Sequence, residues 1–264
     1  MKRHLPALFG QLTENAGKFV VESHQDYLNF KLNPNPTVEV KTIGNEEHPI
    51  VIIDKLMVDP QCLVDYAKQK ATFKPAAKGE NYYPGARAPA PKEYAVNLVN
   101  SLRPLIEKYF RIDATRLEAA RCAYSMVTSS PENLTLTQRL AHFDTVHEGQ
   151  VAAVHYLCDP SHGGTAFYHQ RSTGFESVTR NRSQQYFDAL TTDITQHGEP
   201  DQSYLNASDQ LFEQTACVDA RFDRIVVYKS TMLHSGLINF ESGLSTDPKK
   251  GRLTTTLFAR FSMN

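Results

Sequence analysis

The chain has few cysteines, and their arrangement excludes two kinds of protein. Its 264 residues include four cysteines, and no two of them form a Cys-x-x-Cys pair. A chain of this length can build a hydrophobic core and does not need a disulfide framework. We therefore expect reduced, buried thiols in a cytoplasmic protein. Any metal site in it must then use histidine and carboxylate ligands.

The chain also lacks a surplus of charge of either sign and any long apolar run. With 28 basic and 29 acidic residues its net charge is -1, and no run of like charges occurs. We expect no nucleic-acid partner, since such a partner requires clustered basic residues. No stretch approaches the roughly 18 apolar residues of a membrane span, so we expect no membrane partner. Met1–Pro6 is basic but is not followed by an apolar segment, so we do not expect a signal peptide.

The first part of the chain predicts a polar extension followed by helices. Residues 1–49 are polar and interrupted by proline and glycine, while 49–54 have the continuous apolar pattern of a buried strand. A helix is predicted to begin at Asp59, which is followed by proline, the residue favoured at the first helical position. A second helix is predicted over roughly 91–110. The segment 81–89 between them is rich in proline and glycine and predicts a loop.

From Glu118 onward the pattern changes to short apolar strands separated by turns, which is typical of a β-sandwich or barrel. A polar segment at 172–220 interrupts this pattern and predicts an insertion with helices at 183–195 and 206–215. Together with the two earlier helices, this indicates an α+β fold. The predicted strands are 119–127, 141–144, 150–158, 165–169, 223–229 and 252–262.

The most informative motif is His142-Phe143-Asp144, in an apolar, strand-like context. Side chains two residues apart on a strand point to the same face, so His142 and Asp144 can aim at one point. A histidine and a carboxylate are two of the three ligands of the facial triad that holds non-haem Fe(II). His234, after the apolar run 224–229 and a short turn, fits as the third. The alternative is that all three are ordinary polar residues at strand ends.

Four elements occur in a specific order: His142-x-Asp144, the strand 151–157 with the step Gly163-Gly164 after it, the strand that precedes His234, and the segment 251–258. This set resembles the prolyl-4-hydroxylase-like branch of the 2-oxoglutarate/Fe(II)-dependent dioxygenases, over roughly residues 118–264. The resemblance implies a double-stranded β-helix, or jelly roll, as the core, with N-terminal supporting helices and a helical insertion.

The resemblance also implies cofactors and roles. His142, Asp144 and His234 would ligate Fe(II), and 2-oxoglutarate would bind beside them, with O₂ as co-substrate. Arg252 would bind the far carboxylate of 2-oxoglutarate, for which a planar guanidinium is suited. The other predicted contacts of 2-oxoglutarate are Thr254, Tyr156 and Tyr124.

Several of these roles have alternatives. Arg252 could instead form a surface ion pair, in which case Arg260, on the same predicted face, would bind the keto acid. Tyr156 could be simple core packing. The loop that ends at Pro89 could be a substrate lid or a plain connector.

The implied reaction is an oxidation, most simply a hydroxylation, that releases succinate and CO₂. The carboxylate of Asp144 favours this outcome, because related halogenases have a small residue there. The alternatives are a non-catalytic jelly-roll binding protein and a cupin-like metalloenzyme that does not use 2-oxoglutarate. Amino acids, peptides and small metabolites are all candidate substrates, and a homodimer is compatible with the exposed edges of a jelly roll.

The predicted organisation is an N-terminal extension with supporting helices over 1–117 and a jelly-roll core over 118–264, with the insertion at 172–220. We expect the two parts to form one compact unit.

Overall fold

Two antiparallel sheets make up most of the computed structural model, which describes residues 30–75 and 83–263. The strands are β1 Thr37–Ile43, β2 His48–Asp54, β3 Lys74–Pro75, β4 Gly85–Pro89, β5 Leu117–Val127, β6 Gln150–Tyr156, β7 Thr165–Gln170, β8 Phe212–Val218, β9 Arg224–Lys229, β10 His234–Gly236 and β11 Leu253–Phe261. The helices are α1 Gln61–Gln69, α2 Lys92–Leu105 and α3 Ser183–His197. A single turn of π-helix, Ile106–Phe110, extends α2.

The order of strands in the sheets is that of a jelly roll. The large sheet runs β1-β2-β9-β6-β11-β5-β4-β3, and the small sheet runs β10-β7-β8. A bridge between His142 and His234 adds one further segment to the small sheet beside β10. From β5 onward the chain therefore passes repeatedly between two facing sheets, which is the winding of a double-stranded β-helix. The predicted fold class is confirmed.

The large sheet has two buried faces with different partners. Alternate residues of its strands, such as Ala153 and Leu257, pack under α1 and α2 in the largest hydrophobic cluster. The intervening residues, such as Ala152 and Tyr156, point between the two sheets, where Phe167 of the small sheet meets them. We call these the outer and the inner face. A residue's place on one or the other decides whether it can reach the barrel interior.

Both predicted N-terminal helices form. The Asp59 carboxylate accepts a hydrogen bond from the backbone N–H of Gln61, as a residue before a helix does, although the helix begins at Gln61 itself. In α2 the buried stripe includes Tyr94 and Leu98. Val96, an apolar residue of the same helix, is 48% exposed. No helix within 30–75 or 83–263 is long and apolar enough to cross a membrane.

Two predicted elements are strands instead. Residues 206–215 were predicted as a helix, but β8 begins at Phe212 and pairs with β7 along its whole length. The segment 172–220 therefore contains a strand of the small sheet as well as α3. Three polar residues stand between Phe212 and Ala216, and the pairing with β7 has a register shift there, so β8 has no alternating pattern that would indicate a strand.

The segment 81–89 was predicted as a loop, but its second half is the strand β4. Its residues 81 and 82 lie outside the described part of the chain. Gly85 permits the pairing with β5, since a Cβ atom there would lie 2.0 Å from the Met126 carbonyl oxygen. Pro89 ends the strand. The described part of 1–117 thus supplies strands to both edges of the large sheet.

Residues 141–144 form no regular strand. His142 makes one bridge, and the Asp144 N–H bonds to the carbonyl of Ser230. The prediction of a strand at 141–144 was therefore wrong, although the side chains of His142 and Asp144 still point to one place.

Candidate functional site

Three side chains with metal-binding atoms converge between the sheets. One ligand atom each from His142, Asp144 and His234 lies within 4.8 Å of the others. The two histidines are held by reciprocal backbone hydrogen bonds of 2.9 and 2.8 Å, and their ring centroids are 4.4 Å apart. His234 Nε2 lies 3.9 Å from Asp144 Oδ1. The structure thus brings together the three residues predicted as iron ligands.

The hydrogen bonds of His234 orient it for metal binding. Its Nδ1 lies 2.9 Å from the carbonyl oxygen of Met232, so Nδ1 carries the proton and donates it. The lone pair is then on Nε2, the atom directed toward Asp144. A backbone carbonyl that holds the remote nitrogen of a histidine is a common support of metal ligands.

The electrostatics of the site keep both imidazoles neutral. Burial lowers the pKa of His142 to about 4, and repulsion from His234 adds to the effect. His142 is exposed to solvent at its surface, yet many protein atoms surround its imidazole and disfavour the charged form. This explains the low pKa. Burial alone lowers the pKa of His234 to about 4. Neutral imidazole is the form that ligates a metal.

Asp144 has an unsatisfied oxygen. Burial raises the pKa of its carboxyl to about 6, opposed by His142 and Arg87, and its Oδ2 has no hydrogen-bond partner among the described residues. A buried carboxylate oxygen without a partner is costly unless a cation binds it. Two neutral imidazoles and this carboxylate are a donor set suited to a divalent transition metal.

Tyr228 forms a wall of the site, which the sequence did not single out. Its ring centroid lies 4.8 Å from that of His234, and the Phe167 ring packs on it edge-on at 5.1 Å. Tyr228 stands on the inner face because it alternates with Val227, which lies on the outer face. Its place along β9 could have been found by counting residues along that strand.

A second polar group lies on the inner face at the start of β11. Arg252 is buried and donates from Nη2 to the carbonyl of Gly164 at 2.7 Å, while its Nε has no partner among residues 30–75 and 83–263. Its guanidinium carbon lies 6.0 Å from the centre of the Tyr156 ring. None of the described carboxylates pairs with it, so the alternative of a surface ion pair is wrong. A buried cation of this kind is suited to a carboxylate ligand.

Tyr156 and Thr254 accompany Arg252. They are register partners on β6 and β11, and both are buried on the inner face. The Tyr156 hydroxyl bonds to that of Thr165 at 2.6 Å, and the Thr254 hydroxyl lies 3.4 Å from the carbonyl oxygen of Ser125. The structure therefore places three of the four predicted 2-oxoglutarate contacts together.

The prediction for Tyr124 is wrong. Its side chain lies on the outer face, where its hydroxyl donates to the carbonyl of Leu63 in α1 at 2.9 Å and its ring stacks with Tyr66. It is the neighbouring residue, Ser125, that faces the interior. A one-residue difference on a strand reverses the side-chain direction, and the sequence alone did not fix the phase of β5.

Arg260 is not an alternative to Arg252. Its Nε pairs with Glu118 at 3.3 Å in a half-exposed position near the other end of β11. Eight residues of extended strand separate the two arginines by about 26 Å. The two could not serve the same carboxylate.

Comparison with solved structures gives likenesses of low similarity. HygX from Streptomyces hygroscopicus, with nickel, 2-oxoglutarate and hygromycin B bound, is 14% identical, with 83% of this chain and 85% of that chain covered and a TM-score of 0.43. SnoK, a non-heme alpha ketoglutarate dependent carbocyclase from nogalamycin biosynthesis, is 13% identical, with 82% and 81% covered and a TM-score of 0.44.

SnoN, a non-heme alpha ketoglutarate dependent epimerase from the same biosynthesis, is 13% identical, with 80% and 77% covered and a TM-score of 0.41. With TM-scores under 0.5, these likenesses add no weight to the fold, which the strand pairings of this chain establish.

Among curated proteins the chain has no match. A family of unknown function does match, over residues 34–259, which is most of the sequence. The chain therefore belongs to that family, DUF6445.

Proposed function

We propose that the protein is an Fe(II)- and 2-oxoglutarate-dependent oxygenase. The observation that carries the proposal is the pair of unsatisfied groups inside one barrel. The oxygen Oδ2 of Asp144, beside two neutral histidines, is suited to a cation, and Nε of Arg252 is suited to an anion. A buried cation site and a buried anion site that share one interior match a metal ion and an acidic co-substrate.

Each group has a role in this proposal. His142, Asp144 and His234 would hold Fe(II) through three ligands, which leaves positions for other molecules. Arg252 would bind the far carboxylate of 2-oxoglutarate, with hydroxyls of Thr254 and Tyr156 beside it. When bound, the iron couples oxidative decarboxylation of 2-oxoglutarate, to succinate and CO₂, with transfer of the second oxygen atom of O₂ to a substrate.

The protein's contribution is placement and exclusion of water. The Met232 carbonyl fixes the tautomer of His234, and the Tyr228 ring, itself packed against Phe167, covers that histidine. The Gly164 carbonyl holds one edge of the Arg252 guanidinium and leaves Nε available. These contacts orient the cofactor-binding atoms before any ligand arrives, which lowers the cost of binding.

We further propose that the enzyme is cytoplasmic, hydroxylates an amino acid, a peptide or a small metabolite, and has no nucleic-acid or membrane partner. SnoK and SnoN, a carbocyclase and an epimerase by their descriptions, represent other outcomes of the same cofactor chemistry. Product analysis by mass spectrometry separates these outcomes: hydroxylation adds one oxygen atom to the substrate, whereas epimerisation leaves its mass unchanged.

The test is an anaerobic titration of the protein with Fe(II) and then 2-oxoglutarate, followed by the weak visible charge-transfer absorption of an iron–keto-acid complex. We expect the band in the wild type and a loss of 2-oxoglutarate affinity of at least about 10-fold in Arg252→Gln, because a charge-assisted bond is removed. Arg260→Gln is the matched control and should leave the band unchanged.

Two other results would overturn the proposal. Iron binding without the charge-transfer absorption would indicate a cupin-like metalloenzyme that does not use 2-oxoglutarate. Absence of iron binding would indicate a non-catalytic binding protein.

A further inference from the structure

A second arginine points into the barrel interior and has no role in the proposed function. Arg87 lies on β4, opposite Ser125 of β5, which in turn is opposite Thr254 of β11. Its neighbour Ala88 packs on the outer face, so Arg87 takes the inner one. This places Arg87 on the same interior surface as Thr254, two strands farther along the sheet.

None of the described residues serves as a counter-ion of Arg87. Its Nε is buried without a hydrogen-bond partner, and among the described residues no carboxylate forms an ion pair with it. Its guanidinium carbon lies 5.7 Å from the centre of the Tyr83 ring. A ring contact of this type orients the guanidinium plane and leaves its N–H edge to bind an anion.

The charges around Arg87 do not neutralise it. Burial lowers its pKa and Arg121 adds repulsion, while Tyr83 and the Asp144 carboxylate act in the opposite direction. Asp144, however, is directed to the two histidines and would share its charge with a metal. Arg121 is exposed on β5 and projects from the same face as Ser125. With a metal bound, this side of the interior would carry two arginines and, within 30–75 and 83–263, no carboxylate that pairs with Arg87.

We infer that Arg87, with Arg121 beside it, binds an anionic group, a carboxylate or a phosphate, of the substrate that is oxidised. The inference rests on the proposed function and names a substrate class for it. A guanidinium with an available N–H edge forms charge-assisted bonds with both groups. An interior built this way selects acidic substrates over their neutral amides or alcohols, because an unpaired buried cation would otherwise remain.

The Arg87 site is distinct from the proposed 2-oxoglutarate site. Adjacent strands are spaced by about 4.8 Å, so β4 and β11 are separated by about 10 Å. Arg252 contacts Gly164 and Tyr156, which do not contact Arg87, while Tyr83 lies between the two arginines, with its ring against Arg87 and its hydroxyl near Arg252 and Thr254. One small keto acid at Arg252 would therefore leave Arg87 available for a second molecule.

The experiment is a calorimetric titration of the full chain, kept anaerobic with Fe(II) and saturating 2-oxoglutarate. Inorganic phosphate and acetate are added in separate runs. We expect one further anion to bind, and the tighter of the two shows whether the site prefers a phosphate or a carboxylate. Arg87→Gln should weaken this binding by at least about 10-fold. Arg87→Lys should weaken it by less, because the positive charge remains and only the paired N–H donors of the guanidinium are lost.

Arg260→Gln is the control, since Arg260 lies on the same face but is paired with Glu118. It should bind the anions as the wild type does. Thermal melting of Arg87→Gln should show a midpoint close to that of the wild type, because the ring contact with Tyr83 is lost but no ion pair among the described residues is. Should Arg87→Gln fail to fold, Arg87→Lys carries the comparison.

Three outcomes would overturn the inference. The wild type could bind neither anion, or Arg87→Gln could bind them unchanged. Arg87→Gln could also lose affinity for Fe(II) or 2-oxoglutarate, which would make Arg87 a positioning residue for Asp144 or a co-substrate contact. If 2-oxoglutarate fails to bind while Arg87-dependent anion binding persists, the proposed function fails and the anion site remains.

Discussion

The two faces of the large sheet use the same residue types in opposite ways. On the outer face, His155 lies between the Tyr94 hydroxyl at 2.9 Å and the Asp223 carboxylate at 3.1 Å. That hydroxyl also bonds to Thr255, and Asp223 accepts from the backbone of Met57. Every one of these polar side chains has a partner within the protein.

On the inner face, Asp144, Arg252 and Arg87 each keep a buried polar atom that none of the residues described by the structure bonds to. Buried polar groups are nearly always hydrogen-bonded, since an unmade bond is costly. The outer network is therefore best explained as structural, and the inner atoms as positions for ligands. For these two groups of residues, the presence of a partner for each polar atom, rather than residue type or burial, separates the outer network from the candidate site.

The largest expected effect is on metal binding. His142→Ala should weaken Fe(II) binding by more than about 100-fold, because one of three protein ligands is lost. The free energy of unfolding of the metal-free protein should change by only about 1 kcal/mol, since the exposed ring loses little beyond one hydrogen bond with the backbone of Leu140. Anaerobic iron titration and urea denaturation measure the two quantities. Retained iron affinity would show that the triad is not the metal site.

The matched variant on the outer face should have the reverse effects. His155→Ala is expected to lower the free energy of unfolding by about 3 kcal/mol, because the Tyr94 hydroxyl and the Asp223 carboxylate lose a buried partner and a cavity forms. Its Fe(II) affinity should equal that of the wild type. If His155→Ala weakened iron binding as strongly as His142→Ala, the contrast between the faces would not hold.

A smaller change tests the outer hydrogen bonds without a cavity. Tyr94→Phe removes only the hydroxyl that His155 and Thr255 share, and should lower the free energy of unfolding by about 1–2 kcal/mol. The measurement is urea denaturation at neutral pH, with Tyr109→Phe, on the half-buried extension of α2, as a control. Equal stability of the Tyr94 variant and the wild type would mean that the network contributes nothing.

The smallest effect concerns an ion pair at the edge of the barrel. Hydrogen bonds from Arg224 hold the pKa of the Asp54 carboxyl below its usual value of 3.8. The ion pair's contribution to the free energy of unfolding is complete above pH 3.8 and is lost as the pH falls below it, because the native state then has to take up a proton. Asp54→Asn should reduce the loss of stability on acidification. Identical profiles between pH 2.5 and 7 for both proteins would contradict the assignment.

Much of the candidate site could be predicted because it depends on local spacing and on a family resemblance. The His142-x-Asp144 spacing, His234 after an apolar strand, and Arg252 with Thr254 at alternate positions are all visible along the chain. Tyr124 could not be assigned, because the phase of a strand against its neighbours is set by pairing and not by its own residues. Arg87 was hidden in a segment whose glycine and proline indicated a loop.

The sequence alone determined most of the apolar strands, the helices at 61–69 and 92–105, and the histidine and carboxylate side chains that could bind a metal. These follow from hydrophobic periodicity and turn chemistry, which act over a few residues. Tertiary structure decided that 212–218 is a strand and that His142 meets His234, 92 residues later in the chain. It also decided which polar atoms are left without partners, because satisfaction of a buried group depends on neighbours that only folding brings together.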